Sequence, residues 1–262
     1  MRSPRLVRIV GVHTLSVVAL AAACTPAEGE GEGEGEPGQA TLSVQLAHLV
    51  DGTAIELDTA TPFTNAFGNQ YGVTRLSYFL SNLTLTMADG GTLSAAGGRY
   101  VHHDTPETMT VPLDGEVPAG GVQSLSFVMG LPPYLNQSGA FPDAPEALME
   151  WPEMMGGGYH FMKLEGKFMA TSGDPESYAT HSGGLDGVDY SFAVTLDGSA
   201  LTLAEGGNAL ELVMNIDEWY TNPTDWDFND YFPGGIMHDA DAQAILKANG
   251  ADVFTLGAVS PL

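Results

Sequence analysis

The sequence predicts an all-β protein, an antiparallel β-sandwich with one short C-terminal helix. Three observations carry this. Short alternating runs of apolar and polar residues recur between positions 41 and 216. Clusters of Gly, Pro, Asn and Asp separate them, and only one late segment has helical character. The runs are "TLSVQLAHL" (41–49), "LSYFLSNLTLTM" (76–87, alternating over its second half), "VQSLSFVMG" (122–130), "YHFMKLEGKFM" (159–169), "YSFAVTL" (190–196) and "ALELVMNI" (209–216). Period two sends successive side chains to opposite faces, so each run offers one face to a core. "ADGGT" (88–92) and "LDGS" (196–199) read as hairpin turns. The helix is "DADAQAILKANG" (239–250), with Asp239 as its cap and Gly250 as its stop.

The chain divides into three parts. Residues 1–24, "MRSPRLVRIVGVHTLSVVALAAAC", have a basic start (Arg2, Arg5, Arg8), a short apolar run and small residues before Cys24. That run is too short for a stable membrane span and reads as a secretory signal. Cys24 is the only cysteine, so it has no internal disulfide partner. Its setting after Ala21-Ala22-Ala23 resembles a bacterial lipobox, which makes Cys24 the expected lipidation site and the chain an outer-membrane or periplasm-facing lipoprotein. Residues 25–38 include "AEGEGEGEGEPG", a Glu/Gly-rich flexible tether with nothing to bury. Residues 39–262 form one folded domain.

Charge narrows the partners. The chain has 8 Lys+Arg against 33 Asp+Glu. Loss of Arg2, Arg5 and Arg8 with the signal leaves 5 basic residues and a formal charge of −28. Such a chain repels phosphate backbones and anionic lipid, which excludes nucleic acid and limits membrane contact to a lipid anchor. It attracts cations.

No phosphate loop, HExxH, CxxC or nucleophile elbow is present, so the reading is a binding protein and not an enzyme. Imidazole is the commonest metal ligand, and His48, His102, His103, His160 and His181 are spread over several strands. His102 and His103 are adjacent and face opposite sides of a strand, so one site takes one of them. His238 stands at a helix start, which favours its neutral form. Each of these His residues can also serve as an ordinary hydrogen-bonded or exposed residue. Met149, Met154, Met155, Met162 and Met169 crowd the same region as His160, and thioether sulfur suits Cu(I). Strand alternation puts His160 and Met162 on one face and Lys163 and Glu165 on the other. The competing reading makes Met162 part of the core. "DWDFND" (225–230) places Asp225, Asp227 and Asn229 at alternate positions, a loose calcium candidate. The Gly and Glu that an EF-hand needs are Asp230 and Ile236 here.

Several stretches, in order, resemble the MbnP-like copper-binding domain of exported bacterial proteins. They are "HLVDGTAIEL" (48–57), "YGVTRLSYFLSNLTL" (71–85), "YVHHDTPET" (100–108), "LSFVMGLPPYLNQSG" (125–139), "MEW" with "GGGYHFMKLEG" (149–151 and 156–166), "THSGG" (180–184) and "HDADAQAILKANGADVF" (238–254). The resemblance implies a β-rich exported protein that captures copper, as Cu(I), through His with Met or an oxidised Trp. It marks His181 as the family-matched ligand and His160 as lying inside the signature. Trp151 becomes the candidate for oxidation to kynurenine by a dihaem peroxidase-like redox partner. The competing reading is a metal-free β-sandwich lipoprotein serving in adhesion or assembly.

Overall fold

The computed structural model describes residues 37–262. The expected signal 1–24 with its expected lipidation site Cys24, and residues 25–36 of the expected tether, lie outside them. Gly38 ties the start of the described residues to the fold: its N–H donates to Glu205 Oε1 and its carbonyl accepts from Ala119 N.

Fourteen strands lie among the described residues: β1 (Gln39–Val50), β2 (Thr53–Ala54), β3 (Phe63–Thr64), β4 (Gln70–Met87), β5 (Thr92–His102), β6 (Thr110–Pro112), β7 (Val117–Pro118), β8 (Gly120–Met129), β9 (His160–Met169), β10 (Pro175–Gly183), β11 (Phe192–Asp197), β12 (Thr202–Leu203), β13 (Gly206–Asn215) and β14 (Phe254–Pro261). The smaller sheet runs β14-β13-β1-β2, with β6 and β7 also on β1. The larger runs β10-β9-β4-β8-β11, with β3 and β5 on β4 and β12 on β8. The main core fills the space between the two sheets. β1 supplies Ala40, Leu42, Val44, Leu46 and Val50 from one face, and β4 supplies Leu76, Tyr78, Leu80, Leu83 and Leu85.

The all-β expectation holds, with differences of detail. The "ADGGT" turn joins β4 to β5, and Thr86 pairs with Thr92 across it. "LDGS" is not a hairpin. β11 and β12 both pair with β8, Asp197 opposite Ser124 and Thr202 opposite Gly121, so the turn is a break along one strand line. Among the named strands one pairing is parallel, β1 with β13. Parallel neighbours need a long crossover, and here most of the chain separates the two strands. β10 and β14 escape the alternation reading. Of the β10 residues that turn inward, Thr180 and Ser182 are polar, so the strand carries no apolar stripe.

β4 explains why "LSYFLSNL" fails to alternate. Leu76, Tyr78 and Leu80 enter the main core. On the opposite face Phe79 packs with Leu131, Met149, Tyr159 and Phe161, a second cluster roofed by the long segment between β8 and β9. Both faces of mid-β4 are therefore buried, and burial on both faces erases period two.

The predicted helix is α2 (Ala240–Asn249), preceded by a short α1 (Phe228–Tyr231). Asp239 Oδ1 accepts from the N–H of Asp241 and Ala242, satisfying two donors that a helix start leaves free. No helix among the described residues is long and apolar enough to cross a membrane. Asp239→Ala is expected to lower unfolding stability by about 1 kcal/mol, read from urea denaturation. α2 carries Gln243, which holds the backbone of β10, so this cap also supports the site described next.

Candidate metal centre

The segment "WPEMMGGGYH" folds as a closed loop that opens into β9. Trp151 N donates to Gly158 O at 2.8 Å. Gly156, Gly157 and Gly158 have φ of 118°, 71° and 81°, a left-handed run that side chains resist. Asn136 and Ser138 fix the turn from outside. Asn136 Oδ1 accepts from Tyr159 N at 2.8 Å, and Ser138 Oγ accepts from Gly158 N at 2.9 Å. A Cβ on Gly157 or Gly158 would collide with these two side chains.

β9 then gains one residue on β10. Met162 pairs with Ser182 and His160 with Gly183, so Phe161 is the extra residue of a β-bulge. A bulge breaks alternation and re-aims the side chain beyond it. Met162 stays in the main core and Phe161 joins the outer cluster. His160 turns toward His181, which shares the outer face with Glu165. The expectation that His160 and Met162 present to one point is thus corrected by one inserted residue.

Three rings meet there. The His160 and Trp151 centroids lie 4.7 Å apart, edge to face, and those of His160 and His181 lie 5.0 Å apart at 88°. His160 Nδ1 donates to the Met149 carbonyl at 2.9 Å, which leaves the Nε2 lone pair free of that bond. His181 is the opposite tautomer. Its Nε2 donates to Glu165 Oε1 at 2.9 Å, and its Nδ1 is buried with no hydrogen-bond partner. Arg75 steadies Glu165 at 3.7 Å. Gln243 holds the strand on either side, donating to His181 O at 2.9 Å and accepting from Gly183 N at 3.2 Å. Gly183 is required beneath Trp151, because a Cβ there would sit 2.7 Å from Trp151 Cε3. Met155, Leu185, Tyr190 and Met237 wall the indole. Sequence reasoning did not find Met237 or Gln243, which lie far along the chain and are ordinary residues in their local patterns.

Burial pushes the His160 pKa down to about 3, with the Lys163 charge adding to it and the hydrogen bond to Met149 opposing it. The ring is therefore neutral at physiological pH. Glu165 is held below the usual carboxylate range, first by the hydrogen bond from His181, against its burial and with help from the nearby positive charges. A carboxylate behind an imidazole is a recurrent way to orient a metal-binding His. Two imidazoles sharing one metal at about 2 Å place their centroids roughly 5–6 Å apart, which the 5.0 Å separation meets. Among the described residues no three His, Cys, Asp or Glu side chains converge as a ligand set. The donor set is two imidazole nitrogens beside an indole.

The MbnP family model matches residues 39–238. The chain belongs to the MbnP family. Its fold is similar to that of MbnP from Methylosinus trichosporium, with TM-score 0.53 and 14% identity over 84% of this chain and 99% of that one. At this identity the likeness concerns the fold. No curated protein matches the sequence. The MbnP match ends at His238, so α2 and β14 lie beyond it.

The other sequence candidates are dispersed in this MbnP-family domain. His48 and His103 pair with each other, and Tyr78, the second partner of His48, is on the core face of β4, while His181 and Glu165 lie on the outer face. The five His residues therefore do not form one site. His102 Nδ1 accepts from Asp104 N at 3.2 Å. Met154 is 85% exposed, and Met149 Sδ accepts from Ser77 at 3.4 Å. The calcium candidates are engaged locally. Asp227 Oδ1 caps α1 and accepts from Asn229 N and Nδ2 and from Asn69 Nδ2, Asp225 accepts from Thr221, and Asn229 Oδ1 accepts from Thr171 N. Trp226 and Trp219 are buried packing groups.

Two predictions follow from this geometry. Gly183→Ala should displace Trp151 and cost about 1–3 kcal/mol in urea denaturation. The second concerns pH. His48, like His160, falls to about 3 in the fold through burial and then the His103 charge, against 6.5 unfolded. Between these values the unfolded chain binds more protons, so each His makes stability fall as pH drops below 6.5, by up to about 1.4 kcal/mol per unit. Asp217, raised to about 6 chiefly by burial, acts oppositely between about 6 and 3.8. With two groups against one, stability should fall from pH 6.5 toward 4, and a His48→Phe variant that folds should show a shallower fall.

Proposed function

We propose that this protein captures copper at the Trp151–His160–His181 centre, and that it does so as an exported, lipid-anchored binding protein and not as an enzyme. The observation that carries the reading is the buried, partnerless Nδ1 of His181, whose ring centroid lies 5.0 Å from that of the neutral His160 ring. An orphaned buried nitrogen is costly unless a ligand takes it up. Two imidazoles with apolar and thioether walls suit a soft ion of low coordination number, which favours Cu(I). Family membership supports the same reading. Glu165 and Met149 serve as the groups that fix the two tautomers.

Trp151 is the residue proposed for oxidation, its ring already edge-on to His160 at 4.7 Å between centroids. Oxidation to kynurenine would need an external oxidant, for which a dihaem peroxidase-like partner is proposed. The metal-free adhesion alternative gives the adjacent imidazoles of His160 and His181 no role.

The test is copper analysis with intact-mass measurement on protein exported by its own host. The expected result is copper that His181→Ala and His160→Ala each reduce by one equivalent per chain, with a mass gain of about 4 Da for a Trp converted to kynurenine. Copper content unchanged by both substitutions in folded protein would overturn the assignment.

A further inference from the structure

A second pair of imidazoles lies between the sheets. His48 comes from β1 and His103 from the residue just after β5. Their Nδ1 atoms are 2.8 Å apart, and their ring centroids are 5.1 Å apart. The difference is about two imidazole radii, so both Nδ1 atoms lie close to the line joining the rings. The two nitrogens therefore point at each other. His48 Nε2 is anchored by Tyr78 Oη at 2.8 Å, and the His103 ring lies close to the backbone of Ile55. His48 is 3% exposed, whereas His103 is half-buried and opens beside the exposed Asp104.

We infer that His48 and His103 form a second, separate site for a monovalent d10 cation, Cu(I), held between their Nδ1 atoms in two-coordinate geometry. The argument runs through coordination number. Two opposed lone pairs with no third protein ligand suit a linear ion, whereas Zn(II) or Ca(II) needs four or more donors. One proton bridges the pair in the hydrogen-bonded form, whichever ring carries it. Binding replaces that bridge, and the donating ring moves its proton from Nδ1 to Nε2. On His48 the relocated N–H meets Tyr78 Oη, which accepts it. On His103 it lies on the side of the Ile55 backbone. No net proton is released and no redox change is needed. The rings must part by about 1 Å, since linear ligation at about 2 Å separates the nitrogens by roughly 4 Å. His103, at a strand end and half-buried, is the ring able to yield. Asp104 beside it draws a cation toward the entrance. Tyr78 is a positioning residue, holding His48 so that Nδ1 faces its partner.

This inference does not rest on the Trp151 centre, and one experiment separates the two. The full chain is titrated anaerobically with Cu(I) against a cuprous chelator, with Ag(I) as a redox-inert check and circular dichroism as a folding control. His160→Ala/His181→Ala should retain one tight equivalent. Adding His103→Gln should abolish it, and Tyr78→Phe should weaken it about tenfold. His103→Gln alone should remove one equivalent from the otherwise unaltered chain, which keeps the test valid where the double variant does not fold. One equivalent lost through His103→Gln and untouched by His160→Ala/His181→Ala would sustain this site and refute the Trp151 centre. Cu(I) stoichiometry unaffected by His103→Gln in folded protein would overturn the inference.

Discussion

One extra residue in β9 sets the chemistry of the domain. Regular pairing would carry His160 inward with Met162 and Leu164, into a core with no acceptor for it. The bulge at Phe161 turns His160 outward to the Met149 carbonyl and the His181 ring. Phe161 keeps its outward place in the second aromatic cluster, which also contains Met149. The register fault, the hydrogen bond that selects the His160 tautomer and the cluster beneath it therefore depend on one another. Removing the bulge would bury an unsatisfied imidazole, at a cost of about 1–3 kcal/mol.

β4 divides the molecule into two chemical sides. Its inner face presents Tyr78 to His48, and its outer face presents Ser77 and Phe79 to the Met149 region. Each side holds a pair of imidazoles, and burial lowers the pKa of His48, His103 and His160. In the inner pair each ring has a hydrogen-bonding partner in the other. In the outer pair the two rings are oriented from behind by Met149 O and Glu165, and one nitrogen is left without a partner. That contrast distinguishes the two proposed sites.

Much of the fold was legible because β1, β8 and β13 bury one face each and show it as alternation. β10 was not, since its inward residues include Thr180 and Ser182, which bond or pack inside without looking apolar. Trp151, His160 and His181 could be singled out one by one, but their convergence depends on the bulge and on Gln243 from a distant helix. Neither leaves a local pattern. The grouping of all five His residues into one site failed for a similar reason, because sequence alone does not say which face of a sheet a strand residue reaches after a bulge.

The central claim is that His160 and His181 are opposite tautomers, each turning a free nitrogen toward a shared ion. Long-range nitrogen-15 NMR of the imidazoles, before and after anaerobic Cu(I), reads this directly. The account predicts Nδ1–H on His160 and Nε2–H on His181 in the metal-free protein, with His160 Nε2 and His181 Nδ1 shifting on addition of Cu(I). The same tautomer on both rings, or no shift at those two nitrogens, would contradict it.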